Sequence, residues 1–538
     1  MPGLDGRIHF RQLQAARAST AFGASSVRAP VLPQVMTTDA MTTPLLSKSR
    51  FLAGLQCPLR LWYQCFRREL AAPVSAAQQA IFEMGRQVGI LATERYPAGV
   101  PIVEDFRRHA DAEKATRAAM ADPEVSAVFE AAFTADRVRV RVDILQRAGN
   151  GGWNLIEVKS STGVKEEHLF DTGIQTRILQ EAGVKLASAG LMHINRDYVY
   201  EGGPRDLFCL FTLADLTDEV ARLQEEIGMR LEALQQVVSR PDPPEVVPSR
   251  HCLTPYRCEF WEHCTRSMPE HWIMTLPGIN AERFDALSSM GVVEISEVPD
   301  TAPVSAIQQR VVDCVRQNRE YVSEGLGAAL SHVDFPLHFL DFETAAPAVP
   351  VLAGTRPFEM IPFQWSDHVL TEDGRLEHLD FLSTGGDDPR PAFIDSLLCA
   401  LGAAGTIFIY SPYEKTVLNH LALRFSERVQ EMAGVIDRFT DLWAVIRRHY
   451  YHPAFHGSFS LKAVLPVLVP EMGYSHLAVQ DGTQASFAYL RMIDPETQQK
   501  EKRAIAENLR TYCGQDTLAM VRIREVLLEK ARNPNFEK

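Results

Sequence analysis

Arg137-Val-Arg-Val-Arg-Val-Asp-Ile144 alternates strictly between charged and apolar residues, and Trp153-Asn-Leu-Ile-Glu-Val-Lys-Ser160 follows it after the glycine-rich turn Gly149–Gly152. A period of two is that of a half-buried strand. Val138, Val140 and Val142 are therefore expected on the buried face, with Arg137, Arg139, Arg141 and Asp143 on the other. In the second stretch the same period separates Ile156 and Val158 from Glu157 and Lys159. A hairpin of the two strands brings Asp143 close to Glu157 and Lys159. Two carboxylates beside an ammonium can hold a hard divalent cation and orient water. The alternative is a solvated sheet face with one Glu–Lys pair, and spacing alone does not choose between them.

A second pattern begins at Pro336. Strands are expected at His338–Phe342, Pro362–Leu370, Leu376–Leu382 and Thr406–Tyr410, with a helix near Pro391–Gly402 and a long closing helix near Ala504–Lys530. Together the two patterns predict an α/β protein. In His338-Phe-Leu-Asp-Phe-Glu343, Asp341 and Glu343 share one face of the strand and Leu340 and Phe342 the other. Tyr512-Cys-Gly-Gln-Asp516 sets Tyr512 and Asp516 on one helical face. Glu414 falls at a strand-to-helix junction in Ser411-Pro-Tyr-Glu-Lys-Thr-Val417. Four acids from a strand, a helix start and a closing helix can hold two cations. A surface Asp-x-Glu and an ordinary helical Tyr–Asp pair is the plainer alternative. His449-Tyr-Tyr-His-Pro453, after Arg447 and Arg448, suits stacking on single-stranded bases or, equally, a packed Tyr–Pro corner.

The chain has 538 residues, more than one core accommodates, since cores stop growing near ~250–300 residues. Its 46% hydrophobic and 23% charged residues argue against wholesale disorder. No stretch approaches the ~20 apolar residues of a membrane span, so no membrane partner and a cytoplasmic location are expected. The net charge of −13 is unfavourable for binding phosphate, and any such channel must be a basic minority on an acidic body. Residues 1–47, rich in Ala, Ser, Thr and Pro, read as a disordered extension. Alternatives are an upstream start codon, with Met36 or Met41 the true beginning, or a transit peptide. Phe51, Leu55, Leu59 and Trp62 at helical spacing open a domain over 48–270. It contains the non-helical run Pro241-Asp-Pro-Pro-Glu-Val-Val-Pro248. A helical connector over 271–329 leads to a second domain over 330–538.

Nine cysteines, without a secretory signal, point to metal or catalysis rather than disulfides. Cys57 stands in the first helix, while Cys252, Cys258 and Cys264 are evenly spaced after the proline-rich run. Four thiolates can close a zinc shell or hold an iron–sulfur cluster. Cys65, Cys209, Cys314, Cys399 and Cys513 are expected to be core thiols.

Asp143 followed by Glu157-Val-Lys159 resembles the PD-(D/E)XK motif of RecB-type nucleases, and Gln175, in a helix Asp171–Ala182, stands where that family has its glutamine. The tyrosine usual four residues later is Leu179 here. The family's upstream histidine has no match in Phe82-Glu-Met-Gly-Arg-Gln-Val-Gly89, where Glu83 is the substitute. One cysteine before such a core and three after it is similar to the iron–sulfur RecB-like nucleases, among them the CRISPR adaptation exonuclease and AddB-type subunits. That resemblance implies a 4Fe-4S cluster on Cys57, Cys252, Cys258 and Cys264, stapling the ends of the domain. The five-residue gaps keep zinc as the alternative. The second half resembles DEDD exonucleases of the RNase H-like superfamily that carry Tyr in the last motif. Asp341 and Glu343 match the first motif, and Tyr512 and Asp516 the last. An aspartate is usual where Glu414 stands, and Asp441 resembles a further acid that replaces or supports it.

The resemblances imply a restriction-endonuclease-like core with helical extensions, then an RNase H-like mixed sheet flanked by helices. They imply catalytic roles for Asp143, Glu157, Lys159, Gln175, Asp341, Glu343, Glu414, Tyr512 and Asp516. Mg²⁺ or Mn²⁺ is expected on Asp143 and Glu157 in one centre and on Asp341, Glu343, Glu414, Asp441 and Asp516 in the other. The expected activity is exonucleolytic hydrolysis of DNA, single-stranded or ended, in repair or defence. The alternatives are an RNA exonuclease using the first domain as a clamp, and a non-catalytic nucleic-acid-binding subunit.

Overall fold

Residues 43–532 are described by the computed structural model, and they form an α/β protein with two larger sheets. The first sheet contains β1 (Leu46–Ser47), β2 (Gly99–Pro101), β3 (Ala127–Ala135), β4 (Val138–Arg147), β5 (Trp153–Lys159), β6 (Leu186–Ile194) and β7 (Phe211–Asp215). They run in the order β2-β3-β4-β5-β6-β7, with β1 paired to β4. β3 and β4 are joined by a two-residue turn in which Asp136 and Arg137 have φ of 44° and 58°. Both central residues of such a turn must be left-handed to match the twist of the strands. Arg137 thus belongs to the turn and not to the expected strand.

β5 pairs only with the far end of β4, Ile144–Arg147. The free start of β4 is taken by β1, Leu46 opposite Val138 and Ser47 opposite Arg139. Leu46 is 1% exposed, a burial worth roughly 1.5–3 kcal/mol. The expected extension therefore ends earlier than Ser47, because its last residues complete a ladder. The remainder of that expectation, residues 1–42, lies outside the described residues.

The helix Glu166–Glu181 lies across β3 to β6 and is covered in turn by the helix Thr217–Val238. Gly173 permits this close approach, since a Cβ there would come within 2.4 Å of Ile227 Cδ1. With sheet on one side and helix on the other, the middle helix buries ten of its residues, Asp171 and Gln175 included.

Beyond a two-stranded ribbon of β8 (Tyr321–Val322) and the later β14 (Tyr450–Tyr451), the second sheet holds β9 (Leu337–Ala345), β10 (Ile361–Leu370), β11 (Leu376–Leu382), β12 (Thr406–Ile409) and β13 (Phe439–Asp441). Their order is β11-β10-β9-β12-β13, antiparallel through the first three and parallel through the last two. Leu340 and Phe342 of β9 pack with Phe393, Leu397 and Val417 of the helices Arg390–Leu401 and Tyr413–Arg424. Leu337 and Phe339, pointing the other way, pack with Ala519, Ile523 and Leu527 of the long helix Gln499–Arg532. Period two then assigns Asp341 and Glu343 to the face under this helix. Gln364 donates to Leu509 O at 3.0 Å and His368 Nδ1 lies 2.8 Å from Thr517 Oγ1, which pins the helix on either side of Tyr512–Asp516.

One expectation is revised here and one open choice is settled. The segment 271–329 is not a spacer, because Trp272, Ile273, Phe284, Val311, Val315 and Leu326 share one core with the second sheet. Tyr450 and Tyr451 are fully buried and paired with β8, which selects the packed corner from the two readings left open for the aromatic run. The halves also interlock. The β9–β10 loop brings Ala348, Val349 and Phe358 against Val88, Ile144, Ile156 and Met192 of the first half. Tyr200 N donates to Thr355 O at 3.0 Å. Among the described residues, the chain from Pro44 to Arg532 is one compact unit.

Candidate active sites

Asp143 sits at the fork where β4 and β5 part, and its Oδ2 accepts from Val158 N at 2.8 Å, replacing a ladder bond. Glu157, on β5, is 1% exposed. Lys159 Nζ donates to Glu157 Oε1 and to Asp171 Oδ2, each at 2.6 Å. Gln175 Nε2 donates to Glu157 Oε2 at 2.8 Å and to Asp171 Oδ1 at 3.2 Å. The expected set of Asp143, Glu157, Lys159 and Gln175 is therefore assembled.

Two further members were missed. Lys48 reaches both oxygens of Glu157, at 2.8 and 2.9 Å, and Asp171 at 3.5 Å. Asp171 was legible as the residue four before Gln175 on the same helical face. Lys48 was not, because 109 residues separate it from its partner. Glu83, the substitute for the missing histidine, is exposed and bound to Arg86 and Gln87.

Burial and then the Glu157 charge push Asp143 up to about 7. Burial acts on Glu157 in the same direction, yet Lys48 and Lys159 together hold it well below the usual carboxylate range. Burial and Glu157 raise Asp171. This centre is three acids against two lysines.

The four expected cluster cysteines line one cavity with His251, Phe260 and Trp261. None is in a disulfide. Cys57 adopts an extended break between the helices Lys48–Gln56 and Pro58–Phe66, with Pro58 starting the second. Gln56 Nε2 donates to His251 O and Tyr256 O at 2.8 and 2.7 Å. Arg60 and Gln64 both bind Glu259, at 2.8 and 2.6 Å. The ends of the first half are thereby fastened together around the thiols. Burial pushes Cys258 up to about 12 and Cys264 up to about 11, so thiolates here require a compensating cation. Of the cysteines expected in cores, Cys314 and Cys513 are buried, whereas Cys209 and Cys399 are exposed and Cys65 is half-buried.

The second centre lies between β9, the helix Tyr413–Arg424 and the long C-terminal helix. The chain turns after β12 at Ser411, whose φ of 138° L residues rarely adopt. That turn brings the Glu414 carboxylate onto the Phe342 N–H, between Asp341 and Glu343. Glu414 Oε2 is buried and has no hydrogen-bond partner. Asp516 accepts from the Tyr474 and Tyr512 hydroxyls. Lys462 Nζ lies 5.4 and 5.5 Å over the rings of Tyr474 and Tyr512. Asp441 is half-buried at the edge, its Oδ1 capping the helix Leu442–His449 through Ala444 N at 3.0 Å.

Burial and Asp516 drive Asp341 and Glu343 well above the usual carboxylate range. Burial, with Asp441 and Asp516, pushes Glu414 up to about 8. Burial also raises Asp516 to about 6 against the pull of its two tyrosines and Lys462. Asp341, Glu343, Glu414, Tyr512 and Asp516 meet at this centre, whereas Asp441 stays at its edge as a helix cap. Tyr474, Lys462 and Cys513 were missed, since the first two come from a segment without a readable motif. Among the described residues, Asp341, Glu343 and Cys513 offer ligand atoms within 4.8 Å of one another. Such a set can hold a cation.

No helix among the described residues is long and apolar enough to cross a membrane. No curated protein matches the chain. Residues 338–460, from the start of Asp341's strand to the turn before Lys462's helix, match a family model described as "Domain of unknown function (DUF2779)". That match holds Asp341, Glu343, Glu414 and Asp441 and stops short of Tyr474, Tyr512 and Asp516.

Proposed function

We propose that the protein is a metal-dependent nuclease with two hydrolytic centres, acting on single-stranded or ended DNA and shortening it from its ends. The observation that carries the reading is the charge imbalance of the second centre. Three buried carboxylates, from Glu343, Glu414 and Asp516, gather with the half-buried Asp341, and Lys462 acts on Glu343 and Asp516 alone. Burying like charges without compensation is costly, and divalent cations are the compensation that also has a chemical use. Bound Mg²⁺ or Mn²⁺ would neutralise the charge developing on a scissile phosphate. Asp341, Glu343 and Asp516 would hold it, with Glu414 and Asp441 on the far side. The Tyr512 hydroxyl orients water, and Tyr474 fixes Asp516.

In the first centre Asp143 and Glu157 would hold a cation. Lys159 orients the attacking water, and Gln175 keeps the Glu157 carboxylate in place. Cys57, Cys252, Cys258 and Cys264 would carry a 4Fe-4S cluster, with zinc as the alternative. The four thiols share one cavity and have no other bonding partner of their own kind. A role in cytoplasmic repair or defence belongs to the same proposal.

A second reading has its own observation. Glu157 and Asp171 are already satisfied by Lys48, Lys159 and Gln175, which favours the first half as a clamp for a nucleic-acid strand, RNA included. Incubating the full-length chain with labelled single-stranded DNA, duplex DNA and RNA, under Mg²⁺ or Mn²⁺, tests both readings. Shortening of DNA, reduced by Asp341→Asn and abolished when Glu157→Gln is combined with it, is the expected result. Binding without shortening under either metal would make the protein a binding subunit.

A further inference from the structure

Cys513 looks from its sequence like a core thiol, and it is indeed 0% exposed. Its sulfur nevertheless faces acids. Sγ lies 3.5 Å from Asp341 Oδ2, and the ligand atoms of Asp341, Glu343 and Cys513 all fall within 4.8 Å of one another. The register is not accidental, because the bonds at Leu509 and Thr517 fix the helix on either side of Cys513. The thiol donates to Asp341 Oδ2 and O at 3.5 and 3.8 Å, which satisfies one acid, while Glu414, whose charge acts on Asp341, keeps a buried Oε2 without a hydrogen-bond partner that a cation would match better.

The donor set has a chemical preference. Carboxylate oxygens alone suit Mg²⁺ and Mn²⁺, whereas a thiolate shifts selection towards zinc-like ions. Three protein ligands with the fourth position open are the mark of a zinc ion that can still take water or substrate. We propose that Asp341, Glu343 and Cys513 form a mixed carboxylate–thiolate site for a thiophilic divalent cation of the zinc type, which competes with the hard cation for the same two acids. Ion binding releases the Cys513 proton to solvent. The consequence, zinc-controlled activity of the second centre, rests on the nuclease reading above, but the site itself stands on the geometry.

Co²⁺ titration of the full-length, chelator-treated chain tests the site directly, since cobalt takes zinc positions and reports sulfur ligation by a near-ultraviolet charge-transfer band. The spectrum of Cys513→Ser is subtracted from that of the wild type, so the four-cysteine set cancels. The expected result is a sulfur–cobalt band in the difference, with Co²⁺ affinity at this site weakened by roughly 100-fold or more in Cys513→Ser, since losing a direct ligand costs no less than the loss of an outer-shell partner. Asp341→Asn should remove the same band although Cys513 is intact. In the nuclease assay, the Zn²⁺ concentration giving half-inhibition should rise by a similar factor in Cys513→Ser. A difference spectrum without the band overturns the proposal and leaves the nuclease reading standing. The band present in a protein that shortens no nucleic acid under any metal overturns the nuclease reading and leaves the site standing. If Cys513→Ser does not fold, the Asp341→Asn spectrum alone decides, and an undiminished band there overturns the shared site.

Discussion

The two carboxylate centres solve the same electrostatic problem in opposite ways. At the first, Glu157 and Asp171 are paired with Lys48 and Lys159, whose side chains are 21% and 28% exposed. Its acids and bases nearly cancel before any ion arrives. At the second, four acids gather, Lys462 acts on Glu343 and Asp516 only, and all four acids are pushed above the ordinary carboxylate range. The contrast shows why a cluster of acids is not one kind of object. Where lysines reach in, the charges hold the fold together. Where they do not, the fold tolerates the acids only by keeping them protonated or by binding cations.

The sharpest way to break this comparison is Asp341→Asn. Measured in a Glu157→Gln background that silences the first centre, loss of this charge should lower cleavage by about 10³-fold or more, several kcal/mol of transition-state stabilisation. The same change should leave the cation-free melting temperature unchanged or raised, because one repelling acid is gone. A large fall in melting temperature would mean that Asp341 has a hidden positive partner. Next in size is Cys258→Ser, which should bleach the proposed cluster and lower stability by several kcal/mol, since metal-binding energy in such sites is folding energy. Absorbance and metal analysis of the purified protein check this, and stoichiometric zinc without iron would select the zinc alternative.

Glu157→Gln should behave in the opposite sense to Asp341→Asn. It leaves Lys48 and Lys159 with Asp171 as their shared acid, so denaturant unfolding should register a loss of about 2–4 kcal/mol, at the lower side for a broken buried pair because both lysines are partly exposed. Equal stability responses of the two centres would remove the distinction between them.

The pH dependence carries the same test with a definite sign. Glu414 is raised from an ordinary value of 4.5 to about 8. Between those values the folded state binds more protons than the unfolded one. The stability of the cation-free protein must therefore fall as pH rises through that window. Added Mg²⁺ or Mn²⁺ should flatten the decline, as thermal melts across the window will show. The smallest expected effect is Lys48→Met. Removing the competing ammonium should raise Mn²⁺ affinity at the first centre roughly tenfold, about 1.4 kcal/mol, measurable by calorimetry in an Asp341→Asn background.

Alternation by itself determined where the acids would lie. Period two in Val138–Ile144 and in His338–Glu343 is a local property of the chain, so Asp143, Glu157, Asp341 and Glu343 were legible on their strands, and Tyr512 and Asp516 on their helix. The cysteine spacing and the strand–helix succession of the second half were equally local. Tertiary structure alone decided what faces those acids. Lys48 meets Glu157 only because β1 docks on the unpaired start of β4. Lys462 and Tyr474 arrive from a segment whose sequence carries no period or motif. Cys513 lies beside Asp341 because buried hydrogen bonds set the register of one helix on one sheet. Repeating backbone geometry is written in neighbouring residues, whereas the charge of a site is a sum over residues that only packing brings within a few ångströms.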